Sequence, residues 1–336
     1  MPLTDTFSRP LRDLRISVTD RCNFRCRYCM PAEVFGDNYL FLPKSEVLTL
    51  EEIVHLARVF CRLGVKKIRI TGGEPLLRRG VDELISMLAR IGTAQDLALT
   101  TNGALLKKFS RTLKSSGLHR VTVSLDALDE KTFSRMNGVG AAPDHVIDGI
   151  EAALSAELGV KINSVIQRGV NEDEILPLAE FARQRGVPLR FIEFMDVGNT
   201  NKWNLEQVVP SAEILQRLRE TFELEPLEAR YPGETAKRFR YQDAPALEIG
   251  LISSVSSPFC GDCNRIRLSA DGQLFTCLFA SRGHDLKAAL RSGNADDEQL
   301  SQLISTIWAT RDDQYSELHR NGGGSQGKPE MSYIGG

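Results

Sequence analysis

The sequence predicts an α/β fold: an incomplete (β/α)6 TIM-like barrel followed by a C-terminal domain that caps it. Six strand-like runs alternate with amphipathic helical patterns through the first two-thirds of the 336 residues. Alternation at that spacing implies parallel strands joined by right-handed crossovers. No dinucleotide fingerprint occurs among the six units, so a partial barrel fits better than a doubly wound sheet.

The candidate strands cover 12–18, 66–71, 96–101, 119–125, 160–166 and 189–194. Helical patterns cover 49–63, 81–91, 105–116, 144–157, 172–185 and 211–222. Thr49, with Glu52 three residues on, reads as a capping box at the first helix. Ile53, Leu56, Ala57 and Phe60 share that helix's buried face. Cys61 extends the helix and reads as a small buried hydrophobe. The segment 223–247 is polar and irregular, and the domain boundary is expected near 225: residues 1–225 form the barrel and 226–336 the second domain.

Of the seven cysteines, six fall into two groups of three. Cys22, Cys26 and Cys29 follow the first strand at spacing C-x3-C-x2-C. Three thiolates on one short loop suit three irons of a [4Fe–4S] cluster, leaving the fourth iron open to a small molecule. Zinc sites favour four ligands and C-x2-C pairs, and a disulfide leaves one cysteine over. Cys260, Cys263 and Cys277 form a second trio, C-x2-C-x13-C, with a zinc site completed by His284 as the alternative. Asp271-Gly272 is a hairpin signal that folds Cys277 back toward Cys260.

A net charge of −2 provides no global basic field for nucleic acid. No apolar run approaches the roughly 20 residues that span a bilayer. The N-terminus lacks a charged-then-apolar signal pattern, and the cysteine usage favours metal sites in a cytoplasmic protein over a secreted disulfide framework.

Strand two ends in Thr71-Gly72-Gly73-Glu74-Pro75, where paired glycines let a ligand approach backbone. C-x3-C-x2-C with Tyr28 before its last cysteine, followed by Gly-Gly-Glu-Pro, resembles the radical S-adenosylmethionine (SAM) superfamily. Within it, the chain resembles the GTP 3′,8-cyclase family over nearly its whole length. The carrying segments are 12–29, 68–75, the second cysteine group with Asn264-Arg265-Ile266-Arg267, and the terminal Met331-Ser332-Tyr333-Ile334-Gly335-Gly336.

The resemblance implies two [4Fe–4S] clusters, one on each cysteine trio, and SAM as cofactor. It implies a SAM site lined by Tyr28, Gly73, Ser124 and Met195. It assigns GTP contacts to Arg15, Arg69, Thr100, Lys161, Arg265, Ile266 and Arg267, and catalytic roles to Arg265, Arg267, Gly335 and Gly336. Lys67 and Arg190 are further candidates for the triphosphate, which favours guanidinium forks and an ammonium. The implied product is 3′,8-cyclo-7,8-dihydro-GTP, formed in the first step of molybdenum cofactor biosynthesis. The implied partners are a flavodoxin- or ferredoxin-type reductant and a downstream cyclic pyranopterin monophosphate synthase, with the chain a monomer or homodimer. A peptide-modifying enzyme with two clusters is the alternative reading.

Overall fold

Strand, turn and helix recur along the chain because short β-branched runs such as Lys67-Ile68-Arg69-Ile70-Thr71 are bounded by glycine turns and followed by long amphipathic stretches. The computed structural model describes residues 3–292, 296–318 and 327–335. The barrel strands are β1 (Asp13–Ser17), β2 (Lys67–Thr71), β3 (Asp96–Thr101), β4 (Arg120–Ser124), β5 (Gly159–Ile166) and β6 (Leu189–Glu193). Between and after them lie α1 (Leu50–Arg62), α2 (Val81–Ala89), α3 (Leu106–Ser115), α4 (Glu130–Asn137), α5 (Asp144–Ser155), α6 (Ile175–Gln184) and α7 (Ser211–Arg219).

The capping box read from the sequence is formed: Glu52 N donates to Thr49 Oγ1 at 3.2 Å and Thr49 N to Glu52 Oε2 at 2.7 Å. Cys61 is buried among the hydrophobic side chains of α1. Helix α4 does not figure among the sequence-derived helices, since eight residues carry little periodicity. Asp129 caps it, accepting from Thr132 N at 2.8 Å. Its last turn supports the first cysteine loop, because Asn137 and Met136 carbonyls accept from the Arg25 and Arg27 amides.

Beyond residue 225 the chain continues the same sheet. β7 (Leu224–Leu227), β8 (Lys237–Tyr241) and β9 (Glu248–Ile252) form an antiparallel meander, and β9 pairs parallel with β6. β10 (Arg265–Leu268) pairs parallel with β1 at the opposite edge, followed by β11 (Gln273–Phe275) and β12 (His284–Asp285). The strand order is β12-β11-β10-β1-β2-β3-β4-β5-β6-β9-β8-β7. The six-strand barrel is thus flanked at both edges by parallel strands from the C-terminal third. The hairpin expected at Asp271-Gly272 joins β10 to β11, with Gly272 at φ 84°.

Among the described residues four more helices follow: α8 (Leu286–Arg291), α9 (Asp297–Ala309), α10 (Tyr315–Leu318) and α11 (Met331–Ile334). Trp308 of α9 is fully buried, and its indole donates to Arg9 O at 3.1 Å. Arg9 and Arg311 share the Asp5 carboxylate at 2.5 and 3.2 Å. Their other donors reach the carbonyls of Cys260 and Cys263, both at 2.7 Å, so this buried ion cluster holds the second cysteine loop from behind. No helix among the described residues is long and apolar enough to cross a membrane.

Period-two alternation places one set of side chains against the helices and the other inside the barrel. Leu14, Ile16, Ile68, Ile70, Leu97, Leu99, Val121 and Val123 fill the outer hydrophobic layer. The inward set is largely polar and charged, which fits a binding cavity better than a packed barrel interior.

Candidate functional site

The three cysteines of each trio border one cavity of about 270 Å³ at the C-terminal ends of the parallel strands. The first trio lies on the loop after β1. Cys260 and Cys263 precede β10, and Cys277 follows β11. The β10–β11 hairpin accounts for the thirteen-residue gap and folds the third cysteine toward the pair.

Among the described residues, no three His, Cys, Asp or Glu side chains are grouped to hold one ion. His284 is exposed on β12 and does not line the cavity, so the zinc arrangement completed by this residue is not assembled.

Donors face the sulfurs. Phe24 N and Asn102 Nδ2 donate to Cys22 Sγ at 3.4 and 3.7 Å, Arg265 Nη2 to Cys263 Sγ at 3.4 Å, and Phe279 N to Cys277 Sγ at 3.5 Å. Hydrogen bonds to sulfur are one of the means by which a protein tunes an iron–sulfur centre. Burial, then the Glu74 charge, pushes the Cys22 thiol up to about 11. Burial also raises Cys26 and Cys29, and it raises Cys277 to about 12 with Asp313 adding to it. At Cys263 burial acts the same way, but Arg265 and Arg311 outweigh it and the thiol falls to about 6.

The expected SAM residues Tyr28, Gly73, Ser124 and Met195 also border the cavity. The Gly72-Gly73 turn lies directly against the cysteine loop: a Cβ at Gly73 would sit 2.3 Å from Arg21 O, and one at Gly72 would sit 2.5 Å from Thr19 O. Gly72 also has φ 148°. Only glycine accommodates both the approach and the conformation. Glu74 is buried and accepts from Leu76 N, Thr101 Oγ1 and Asn102 N at 3.0, 2.8 and 2.8 Å, yet burial still lifts it to about 7. Tyr28 Oη donates to Asp126 Oδ2 at 2.7 Å, and Asp126 is raised to about 6 by burial.

Arg15, Arg69, Thr100, Arg265 and Arg267 line the cavity between the two cysteine groups. Arg15 of β1 registers with Arg69 of β2 on one side and Arg267 of β10 on the other. Three arginines therefore stand in one row across three adjacent strands. Like charges directly opposite are destabilising. Burial, then Arg267 and Arg69, drives Arg15 well below the ordinary guanidinium range. Arg69 Nη1 donates to Thr100 Oγ1 and Thr122 Oγ1 at 3.0 and 3.3 Å. Arg15 Nε, Arg69 Nε, Asn163 Oδ1 and Ser254 Oγ are buried without a hydrogen-bond partner among the described residues. Orphaned polar atoms around one cavity require an explanation, and a polar ligand supplies it.

Ile266 faces the other way: its side chain is fully buried in the hydrophobic core, as the register of β10 requires. Any contact it makes with the cavity is through its backbone. Lys161 is not a lining residue; it lies one pleat below Asn163 on β5, opposite Thr122. Lys67 pairs with Asp13 at 2.7 Å, and Arg190 lies 3.9 Å from Glu234. Gly335 O accepts from Arg267 Nη1, while Gly336 falls outside the described residues. Met331 and Ser332 of the terminal segment line the cavity, so the tail enters it.

Asn102, Asp126 and Asn163 lie at or near strand ends of the barrel, where position alone marks them as candidates. Arg311, Phe259 and Ser254 carry no comparable signal, since they reach the cavity only through tertiary packing.

Residues 16–182 match the radical SAM superfamily and residues 187–317 match the family described as Molybdenum Cofactor Synthesis C. A GTP 3′,8-cyclase of Acidothermus cellulolyticus is 52% identical over 360 residues, covering 100% of this chain and 99% of that protein. The chain belongs to the GTP 3′,8-cyclase family. Relatives of that name from Staphylococcus haemolyticus and Staphylococcus aureus are 48% identical, with 99% of each chain covered. Among solved structures, SuiB of Streptococcus suis bound to S-adenosylmethionine superposes with a TM-score of 0.63 at 18% identity, over 93% of this chain and 68% of SuiB. That likeness shows the shared fold. Membership of the GTP 3′,8-cyclase family makes SAM and [4Fe–4S] clusters the cofactors, and the two trios with their N–H···S donors fit them.

Proposed function

We propose that this chain is a radical SAM lyase that converts GTP into (8S)-3′,8-cyclo-7,8-dihydroguanosine 5′-triphosphate, the first step of molybdenum cofactor biosynthesis. The observation that carries this reading is the arginine row Arg267–Arg15–Arg69 between two cysteine trios, with the Nε atoms of Arg15 and Arg69 buried and orphaned. Clustered buried cations call for an anion, and a nucleotide triphosphate answers in charge and in planar hydrogen-bonding oxygens.

When bound, the clusters and SAM supply one electron and a 5′-deoxyadenosyl radical, chemistry the protein must aim and shield. In this reading Cys22, Cys26 and Cys29 hold the first cluster, and Tyr28, Gly73, Ser124 and Met195 border the SAM beside it. Cys260, Cys263 and Cys277 would hold the second cluster, whose open iron would be available to the substrate. Arg15, Arg69 and Arg267 grip the substrate, with Thr100 aligning Arg69. Arg265 and the backbone of Ile266 complete that wall. Phe24, Val165, Ile192, Ile252 and Leu278 leave much of the remaining wall apolar, which limits the water that would quench a radical. Residues 1–225 thereby aim the radical and share the grip on its target with Arg265 and Arg267 of 226–336. Cysteines grouped for clusters rather than paired in disulfides suit a reducing cytoplasm. A flavodoxin- or ferredoxin-type donor and a cyclic pyranopterin monophosphate synthase fit before and after this step.

The test is anaerobic incubation of reconstituted protein with SAM, a reductant and GTP deuterated at ribose C3′. The expected result is deuterium in 5′-deoxyadenosine together with a cyclised nucleotide. Unlabelled 5′-deoxyadenosine with GTP unchanged would overturn the assignment. The alternative of a peptide-modifying enzyme is not favoured, since relatives at 48–52% identity over the full chain carry the cyclase name.

Lys161 provides a separate check on where the phosphates sit. Burial, then Arg190 and Arg120, pushes its ammonium down to about 6. At pH 8, before nucleotide binds, it is therefore largely neutral. A triphosphate beside it favours the charged form and raises it again. GTP binding at pH 8 should then take up about one proton, and the uptake should fade as pH drops through 6. Titration calorimetry in two buffers of different ionisation enthalpy measures it. Lys161→Met should abolish the uptake; uptake retained in that variant would place the proton elsewhere.

A further inference from the structure

The terminal segment is held at two places among the described residues, the inner one against the cavity-lining Arg267. At the inner place, Gly335 meets Arg267, and Tyr333 Oη reaches both carboxylate oxygens of Asp271 at 2.7 and 2.8 Å. At the outer place, the Lys328 ammonium is buried, with 5% of the residue exposed. It donates to Asp196 Oδ2 at 2.8 Å, to Asp196 O at 3.0 Å and to Tyr315 Oη at 2.9 Å. Tyr315 Oη in turn donates to Asp196 Oδ2 at 3.1 Å. All three of the ammonium's protons have acceptors.

We propose that Lys328 is the latch that sets how far the tail enters the cavity, a positioning residue that acts through Gly335. The inference rests on the reading that the tail serves the cyclisation.

Three structural elements meet at this one ammonium. Asp196 is the neighbour of Met195, which lines the cavity on the expected SAM side. Tyr315 belongs to α10. Its ring stacks on Phe279 with centroids 4.4 Å apart and planes 13° apart, and Phe279 N donates to Cys277 Sγ. Lys328 Nζ lies 4.9 Å from the Tyr315 ring centroid and 5.7 Å from that of Phe279. Cation–π attraction adds to the ion pair. The latch thus fastens the tail to the loop after β6 and to the loop of the second cysteine trio at once.

The backbone around the latch is clamped as well. Asn199 Oδ1 accepts from Gly327 N and Lys328 N at 3.1 and 3.3 Å, and Asn199 Nδ2 donates to Lys328 O. The Glu330 carboxylate accepts from Asn199 N at 2.9 Å and Thr200 Oγ1 at 3.1 Å. Gly198 makes room for it: with φ +66°, a Cβ there would lie 2.1 Å from Glu330 Oε2. Between latch and terminus, residues 331–334 form the helical turn α11, which leaves little slack. A fixed outer anchor on a stiff segment determines where Gly335 stops, and misplacement by an ångström at a reacting centre is costly.

The experiment uses full-length reconstituted protein carrying Lys328→Met or Lys328→Arg. Carboxypeptidase release of the terminal glycines reports tail seating independently of activity. 5′-Deoxyadenosine and cyclised product are measured in parallel. Lys328→Met should speed terminal release and lower the ratio of product to 5′-deoxyadenosine, each by about tenfold or more, the loss expected of hydrogen bonds to a charged group. SAM binding and iron content should hold. Lys328→Arg, which keeps the cation, should recover part of both. Gly198→Ala attacks the same clamp through Glu330 and should free the terminus equally, so the inference stays testable if one variant folds poorly. A terminus as protected in both Lys328→Met and Gly198→Ala as in the parent overturns the latch. A freed terminus with full product yield supports the latch and overturns the tail's role in cyclisation.

Discussion

Deleting Gly335 and Gly336 should leave folding, both iron–sulfur clusters and GTP affinity largely intact while cyclised product falls by about two orders of magnitude or more, the scale of a misplaced reacting group. The seat explains why two glycines at a chain end matter. Gly335 O accepts from Arg267, one member of the arginine row. Gly335 sits at φ +75°, and a Cβ there would lie 2.2 Å from Thr71 Cγ2. Gly335→Ala should therefore act much like the deletion, through strain and clash combined. The free Arg267 guanidinium then gains freedom it lacks when the tail holds it. Product and 5′-deoxyadenosine measured in single turnover check this, with GTP affinity by calorimetry. A truncated enzyme with normal yield would show that the glycines are only an end.

The two cysteine trios should separate cleanly. Cys26→Ser should abolish SAM cleavage. Cys263→Ser should retain the first cluster, and with it cleavage of SAM, yet make no cyclised nucleotide. Iron should fall in each from about eight per chain to about four. The reason is local: the first trio is carried by the β1 loop and supported by α4, whereas the second, next to the neighbouring strand β10, is held by Arg9 and Arg311. The carbonyls that hold the first loop and the guanidinium groups that hold the second are separate contacts. Iron and sulfide analysis with 5′-deoxyadenosine release checks both variants. Full product from Cys263→Ser would reduce the second trio to a structural role.

The distinction between what a sequence states and what packing decides runs through particular residues. Arg265 and Arg267 alternate in the sequence, and alternation on a strand puts them on one face; the structure has them there. The same rule, applied to Ile266, turns its side chain into the core. Lys161 is readable as an inward cation on β5, but its depth, one pleat below the cavity lining, depends on the pairing of β5 with β4. Helix α4 and the support it lends to the cysteine loop left no periodic signal, because eight residues make too few turns to show one.

The sequence by itself determined the barrel's six βα units, the two cysteine trios and the glycine turn beside the first of them. Each is a local pattern whose meaning follows from period, spacing or the missing Cβ of glycine. Only the tertiary structure decided that the C-terminal third adds parallel strands to both edges of the barrel, that Arg267 stands in register with Arg15 and Arg69, and that Lys328 fastens the tail to the wall of the cavity. Those contacts join residues far apart in the chain. They form because unpaired strand edges and buried charges must find partners, and local sequence does not say which partner will be in reach.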